Sequence, residues 1–527
     1  MTAPCTPVPG AAGACRSCSR DAGGRAGRRA ARAPGLTGVA PESQAATFAL
    51  LQRLAGAPPV RTHISAVFIG ADTVWKLRRA VRLAYVDFTT LAERERTARR
   101  ELELNAAHAP GLYRDVVAVT RAADGTLALG GAGEAIDWVV RMARVPAGDF
   151  LDVVAARGGL DPGLLDGMAD AVAALHAGNP VLARDQAAAL RDVARGNALA
   201  ARQAGLAEAD VAGWSDGMAA LLDRHADALR ARGDAGFVRR CHGDLHLGNM
   251  CLWRGAPVAF DALEFDEDLA TVDVGYDLAF LLMDLDARVG RGAANRVMNR
   301  YLARTGDWAL VAFLPLFLSM RAMVRAHVEA ARGRAADSGG YLTRALDYMR
   351  PAPACVVAIG GLPGAGKSTV ARAVAPGLGV APGAVILRSD EIRKRQGGVA
   401  PEQKLAQSAY APDASAAVFA EIARAAGAIA AGGHAVVADA TFMDPGHRAA
   451  IAAAAGGVPF RGVWLEVEMA ELERRVAARA GDASDADLAV LRRAARAGAG
   501  AGDWLAVDGT DTAAAAAAIT ATLAIRP

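Results

Sequence analysis

The chain has 527 residues, of which 53% are apolar and 22% charged, and its formal net charge is +3. That length points to two or three domains, and the near-balanced charge supplies no basic surface that by itself calls for nucleic acid or an anionic membrane. Six cysteines are too few for a disulfide framework in so long a chain and fit a reducing compartment, so a cytoplasmic protein is expected.

Residues 1–40 are Ala, Gly, Pro, Arg and Cys without helical or strand period, which predicts a disordered tail. Its CRSC (15–18) is one C-x-x-C, short of the four ligands of a closed zinc site. From 41 the pattern becomes structured. THISAVFIGADTVWKLRRAV (62–81) reads as two strands about a turn at Gly70-Ala71-Asp72, and TLAERERTARRELELNAAHA (90–109) as an amphipathic helix. More strands end at IDWVVRMARV (136–145), and a helical region follows from about 148 to 235. A small α+β lobe and a larger helical lobe are expected. WALVAFLPLFLSM (308–320) is interrupted by Pro315 and too short to span a bilayer, so it reads as a buried helix, with no membrane span.

CHGDLHLGNM (241–250) crowds Cys241, His242, Asp244 and His246 together and first suggests a metal site. No H-x-x-x-H or second cysteine pair supports that, and a structural loop is the plain alternative. H-x-D-x-x-x-x-N, with His242, Asp244 and Asn249, has instead the spacing in which Asp receives or orients an acceptor hydroxyl and Asn holds Mg²⁺. Such a site needs a second Mg²⁺-binding Asp soon afterwards, and AFDALEF supplies Asp261. It also needs a lysine for the α/β-phosphates and a helical Glu to hold it. The chain has only four lysines, at 76, 367, 394 and 404, against abundant Arg, so a retained Lys suggests a need for a compact ammonium. Lys76 is the only one before 367, and Glu101 or Glu103 can pair with it. The acidic run Glu264–Asp268 lacks the spacing of a calcium loop and reads as mostly solvated.

PAPAC (351–355) reads as a linker into a parallel βαβ pattern. There GGLPGAGKST follows the apolar strand VVAIG and opens a helix, the context a phosphate-binding loop requires. Gly361, Gly364, Ala365 and Gly366 would curl the backbone so that N–H groups face phosphate oxygens, with Lys367 on the outer phosphates and Ser368 and Thr369 opening the helix. The Ser368 hydroxyl would reach Mg²⁺. Asp390 and Asp439 end strands facing the ligand crevice, although either could cap a helix. Arg475 and Arg479, four apart on one helix face, would close over phosphates or simply face solvent.

These motifs make 355–510 similar to the small P-loop kinases of the zeta-toxin and polynucleotide-kinase-like group. The resemblance implies a general base at Asp390, a substrate-binding Arg393, and an acid at Asp439 near Mg²⁺ or the acceptor. The earlier region resembles the aminoglycoside-phosphotransferase-like kinases. The strings THISAVF, VWKLRR, ELELNAAHAP, VVRM, CHGDLHLGN, FDALEF, DVGYDLAFLLMDL, GGLPGAGKST, RSDEIRK and DASDAD together resemble the bifunctional aminoglycoside phosphotransferase/ATP-binding proteins. That resemblance implies an α+β protein-kinase-like bilobal domain (41–350) followed by an α/β P-loop NTPase domain with a parallel sheet (351–527). It implies Asp244 as catalytic residue, Asn249 and Asp261 as Mg²⁺ ligands, Lys76 on phosphate with Glu101 as its partner, and Asp277 as a structural acid. Two features depart from the better-known kinases: the 70–72 turn is no G-x-G-x-x-G loop, and Glu264 stands one position late. The expected function is ATP- and Mg²⁺-dependent phosphoryl transfer to a small-molecule hydroxyl. The rivals are a P-loop ATPase carrying a ligand-binding domain and a nucleic-acid 5′-OH kinase.

Overall fold

A computed structural model describes residues 42–83, 86–478, 483–498 and 500–524. The 1–40 tail with its C-x-x-C, and Arg479, lie outside the described residues. Alternating β-branched and apolar residues build an antiparallel sheet from β1 (Val60–Arg61), β2 (Ser65–Ile69), β3 (Thr73–Arg78), β4 (Tyr113–Arg121), β5 (Leu127–Leu129) and β6 (Glu134–Ala143). Its order is β1-β2-β3-β6-β4-β5. In the β2–β3 turn Gly70 lies under Trp75, where a Cβ would come within 2.9 Å of the ring.

The helix Leu91–Ala106 lies between β3 and β4 in the chain, with the Thr90 hydroxyl capping the Glu93 N–H. Thr97, Glu101 and Asn105 repeat every four residues and share its buried face. Glu103 points out to solvent beside Arg100, which decides between the two candidate glutamates.

The second lobe is helical around two small antiparallel pairs, β7 (Val238–Arg240) with β10 (Thr271–Asp273), and β8 (Met250–Trp253) with β9 (Ala256–Ala259). The 308–320 stretch enters a mostly buried helix, as read from the sequence, but the helix is longer than expected and Pro315 does not interrupt it. A 3₁₀ turn, Trp308–Phe313, continues into the helix Leu314–Ala331, because Pro315 takes the first turn, where its missing N–H costs nothing. Trp308–Ala331 and Pro412–Ala431 are each long and apolar enough to cross a membrane by length and composition, and the first is 72% buried inside the protein.

The remaining sheet is parallel: β11 (Val356–Gly361), β12 (Val385–Arg388), β13 (Val436–Asp439), β14 (Phe460–Glu466) and β15 (Leu505–Asp508), in the order β12-β13-β11-β14-β15. The neighbouring strands β12, β13 and β11 therefore end side by side, delivering Asp390, Asp439 and the glycine loop to one edge. The edge strand β12 is covered by the helix Arg291–Thr305 of the helical lobe. Asn299 accepts from Ile386 N (2.7 Å), and Asn295 and Asn299 both donate to Ala384 O (3.0 and 3.2 Å). These amides satisfy backbone groups that an uncovered edge would expose.

Candidate active sites

The first site forms where the antiparallel sheet meets the helical lobe. β3 carries Lys76, whose Nζ lies 2.7 Å from Glu101 Oε1 and also contacts Asp261. Burial opposes the Lys76 charge, but Asp261 and Glu101 outweigh it and raise its pKa. Asp261 follows β9 with φ of +62°, a left-handed backbone that a non-glycine residue adopts at a cost. Its N–H donates to Tyr113 Oη (3.0 Å) and the next N–H, of Ala262, to Asn105 Oδ1 (3.0 Å), so the helix and β4 hold that conformation.

The loop 241–250 is braced from below. Asp277 accepts from His242 N (3.1 Å) and Gly243 N (2.8 Å), and Asp284 from Leu247 N (3.1 Å). His242 Nε2 meets Phe260 O at 2.9 Å, tying this loop to the residue before Asp261. Asn249 donates to Asp244 Oδ2 (2.9 Å). Burial works against the Asp244 carboxylate, yet His246, His242 and Arg321 hold its pKa well below the usual range. Asp244 is thus ionised and oriented.

Donor atoms of His176, Cys241 and Asp277 come within 4.8 Å of one another, a grouping that the sequence pattern did not bring out. Hydrogen bonds already engage each: His176 with Tyr301 (2.9 Å) and Asp277 (3.1 Å), and Cys241 with Val272 O (3.4 Å). Asp277 stands beneath the loop as the supporting acid.

The acidic run after Asp261 is not all solvated. Glu264 is only 4% exposed and pairs with Arg78, which also contacts Glu101. Burial, opposed by Arg78 and reinforced by Glu101, pushes the Glu264 carboxyl up to about 7. Arg78, Tyr113 and Asn105 were not singled out from sequence, and Glu264 reads there only as a late acid in a mostly solvated run. The only local signal for Arg78, Asn105 and Glu264 was their position inside the strings around Lys76, Glu101 and Asp261, and Tyr113 lies outside those strings.

The second site is a cavity of about 1480 Å³ over the β11, β12 and β13 ends. Gly364 and Gly366, both at φ +88°, turn the loop so that Lys367 begins the next helix. Lys367 Nζ donates to Gly361 O and Leu362 O (both 3.0 Å), and Ala365 is buried beneath the turn. Ser368 Oγ donates to Asp439 Oδ2 at 2.5 Å, which brings together two groups able to hold Mg²⁺. Thr369, Asp390 and Arg393 line the same cavity. Burial raises the Asp390 pKa against the Arg388 guanidinium, toward the range of a proton acceptor. Arg393 donates to Ala409 O (2.5 Å) and lies over the Tyr410 ring (4.8 Å). Arg475 also faces the cavity, donating to Gly509 O (3.0 Å) and Thr510 O (3.1 Å) while Glu471 holds its Nε (2.6 Å).

Lys394 and Asp485 were not assigned a place in this site. Lys394 is 1% exposed and ion-pairs with Asp485 (2.7 Å), which also accepts from Tyr410 Oη (2.5 Å) and Leu405 N (3.0 Å). The scarcity of lysine was the signal that marked Lys394.

A family profile described as an AAA domain matches residues 356–498. The uncharacterized protein Rv2004c of Mycobacterium tuberculosis (strain ATCC 25618 / H37Rv) is 30% identical over 483 residues, covering 84% of this chain and 90% of the relative. The uncharacterized protein Mb2027c of Mycobacterium bovis matches to the same extent. Among solved structures, a choline/ethanolamine kinase family protein from Mesorhizobium loti is 16% identical, with a TM-score of 0.35, covering 58% of this chain and 99% of that one. A gluconokinase from Sinorhizobium meliloti 1021 is 23% identical, with a TM-score of 0.24, covering 33% of this chain and 94% of that one. The chain belongs to the same family as these mycobacterial proteins; its first part is a bilobal unit of an antiparallel sheet and a helical lobe, and its second part carries the parallel sheet whose residues 356–498 match the AAA domain profile.

Proposed function

We propose that the protein is a cytoplasmic ATP-dependent phosphotransferase with two nucleotide sites, one in residues 41–350 and one in 351–527. Each moves the γ-phosphoryl group of ATP to a hydroxyl of a small molecule. The observation that carries this reading is the meeting of Glu101 and Asp261 at Lys76, next to the hydrogen-bonded pair Asp244 and Asn249.

Phosphoryl transfer asks a protein for positioning and charge more than for covalent chemistry. Lys76, held by Glu101, presents its ammonium to the phosphates as their charge redistributes. The ionised Asp244 accepts a hydrogen bond from the acceptor hydroxyl and aims its oxygen at the γ-phosphorus. Asn249 uses Nδ2 on Asp244, so Oδ1 is the atom it offers a cation, together with the carboxylate of Asp261. In the second site the loop N–H groups cradle phosphates, Lys367 exchanges two loop carbonyls for phosphate oxygens, and Ser368 and Asp439 fit a cation. Mg²⁺, when bound, neutralises charge on the β- and γ-phosphate oxygens.

The test is transfer of label from γ-labelled ATP into a pool of small hydroxyl compounds by the full chain, Asp244→Asn and Lys367→Ala. Each variant is expected to remove a different set of labelled products. If ATP is hydrolysed without any labelled organic product, the chain is an ATPase and the reading fails.

A further inference from the structure

We infer that the acceptor of the first site is an anion: a hydroxyl compound that already carries a phosphate or carboxylate, seated against Arg288, Arg325, Arg334 and Arg344. This rests on the phosphotransferase reading of Asp244 and adds the charge class of its substrate. The four arginines line an open cavity of about 460 Å³, a size that suits a small metabolite.

Two helices lead from the catalytic loop to this cavity. Val274–Arg288 carries Asp284, which accepts from Leu247 N (3.1 Å) in the loop through one oxygen and from Arg288 Nε (2.8 Å) through the other. On the same helix Phe280 packs edge-on against His246, itself 3.6 Å from Asp244. Leu314–Ala331 carries Arg321, which reaches Gly243 O (3.4 Å), and one turn later Arg325 in the cavity wall. An acceptor with its hydroxyl at Asp244 extends the rest of its structure along these helices.

The wall is more basic than its own acids neutralise. Asp284, Asp286, Glu329 and Asp337 face six arginines, the four of the wall together with Arg291 and Arg332. Glu329, 1% exposed, is shared by Arg325 (2.9 Å), Arg332 (3.0 Å) and Arg334 (3.3 Å). Arg344 is 3.3 Å from Asp286, whose same oxygen already accepts from Tyr348 Oη (2.6 Å). The hydrogen bonds to these carboxylates run through one nitrogen of each lining arginine, while a guanidinium offers about five N–H donors. The buried Nε of Arg325 has no hydrogen-bond partner among the described residues. Planar forks with free donors suit phosphate or carboxylate oxygens, and the same wall repels a polycation such as an aminoglycoside.

In the transfer, the acceptor hydroxyl oxygen bonds to the γ-phosphorus and the bond from that phosphorus to the β–γ bridging oxygen breaks. ADP leaves, and the hydroxyl proton passes through Asp244 to solvent.

The test uses the full chain with Lys367→Ala, which silences the P-loop site, and γ-labelled ATP. Three acceptor panels are offered: phosphate- or carboxylate-bearing hydroxyl compounds, neutral polyols, and cationic amino alcohols and amino sugars. Label is expected in the anionic panel alone, and its phosphate and carboxylate arms tell the two chemistries apart. Arg325→Met and Arg334→Met should each raise the acceptor KM about tenfold, the loss of one charge-assisted contact, with the KM for ATP nearly unchanged. Arg334 is 62% exposed, so its variant is expected to fold even if the Arg325 variant does not. Label in the neutral or cationic panel instead overturns the anionic acceptor and leaves the phosphotransferase reading standing. No label in any panel, with ATP still bound, overturns both.

Discussion

The Lys76 ammonium sits 2.7 Å from the Glu101 carboxylate, with side-chain exposures of 8% and 0%. Glu101 also meets Arg78, while Asp261 reaches Lys76 and Glu264 pairs with Arg78, so three carboxylates share two buried cations. Glu101→Gln keeps the shape and removes its charge. Breaking a buried pair of this kind is expected to destabilise the first part of the chain by about 3 kcal/mol and to weaken its nucleotide binding. Chemical denaturation and nucleotide titration of the Glu101→Gln chain check this. Unchanged values for both would mean that the ion pair contributes nothing.

The contact between Asn299 and β12 predicts a separate effect. Asn299→Ala removes the acceptor of Ile386 N and one donor to Ala384 O, both buried. Leaving the Ile386 N–H unsatisfied should cost about 1–3 kcal/mol. Thermal denaturation should show the loss in the P-loop part, while nucleotide binding at Lys76 is retained. An unaltered melting profile would show that the covered edge is not needed for stability.

Two buried groups tilt the pH dependence of stability in opposite directions. His434, 6% exposed, is depressed to about 4 by burial and by His225 facing it. Between its ordinary 6.5 and about 4 the folded chain binds fewer protons at His434 than the unfolded chain. Its contribution is therefore complete above about 6.5 and lost as pH falls toward 4. Glu264 has the opposite sign. With its folded value raised from 4.5 to about 7, stability is present below 4.5 and lost as pH rises through 7. Melting temperatures across pH 4 to 8 should show His434→Gln removing an acid-side loss and Glu264→Gln removing a loss toward neutral pH. Profiles parallel to the unsubstituted chain would contradict both assignments.

Much of the architecture could be read from the residues because the pattern and the chemistry agreed locally. GGLPGAGKST names its own turn, since positive φ at Gly364 and Gly366 and a helix starting at Lys367 follow from glycine and position. The alternation in 62–81 and the four-residue repeat in 90–109 also fixed faces. What stayed hidden depended on contacts between distant segments. Glu264 looked like one acid in a solvated run because nothing near it in the chain shows that Arg78, 186 positions earlier, covers it. Lys394 with Asp485, and Asn299 with Ile386, are likewise pairs that only the tertiary fold brings together. The 308–320 stretch reads correctly as a buried helix, but its length is underestimated for a local reason: Pro315 reads as an interruption but stands at a helix start.

The most direct test of the two-site account is phosphoryl transfer from γ-labelled ATP by the full chain carrying Asp244→Asn, Lys367→Ala, or both. The account predicts two product sets: one lost with Asp244→Asn, one lost with Lys367→Ala, and none left in the double variant. A single product set abolished by Lys367→Ala and untouched by Asp244→Asn would contradict a catalytic first site.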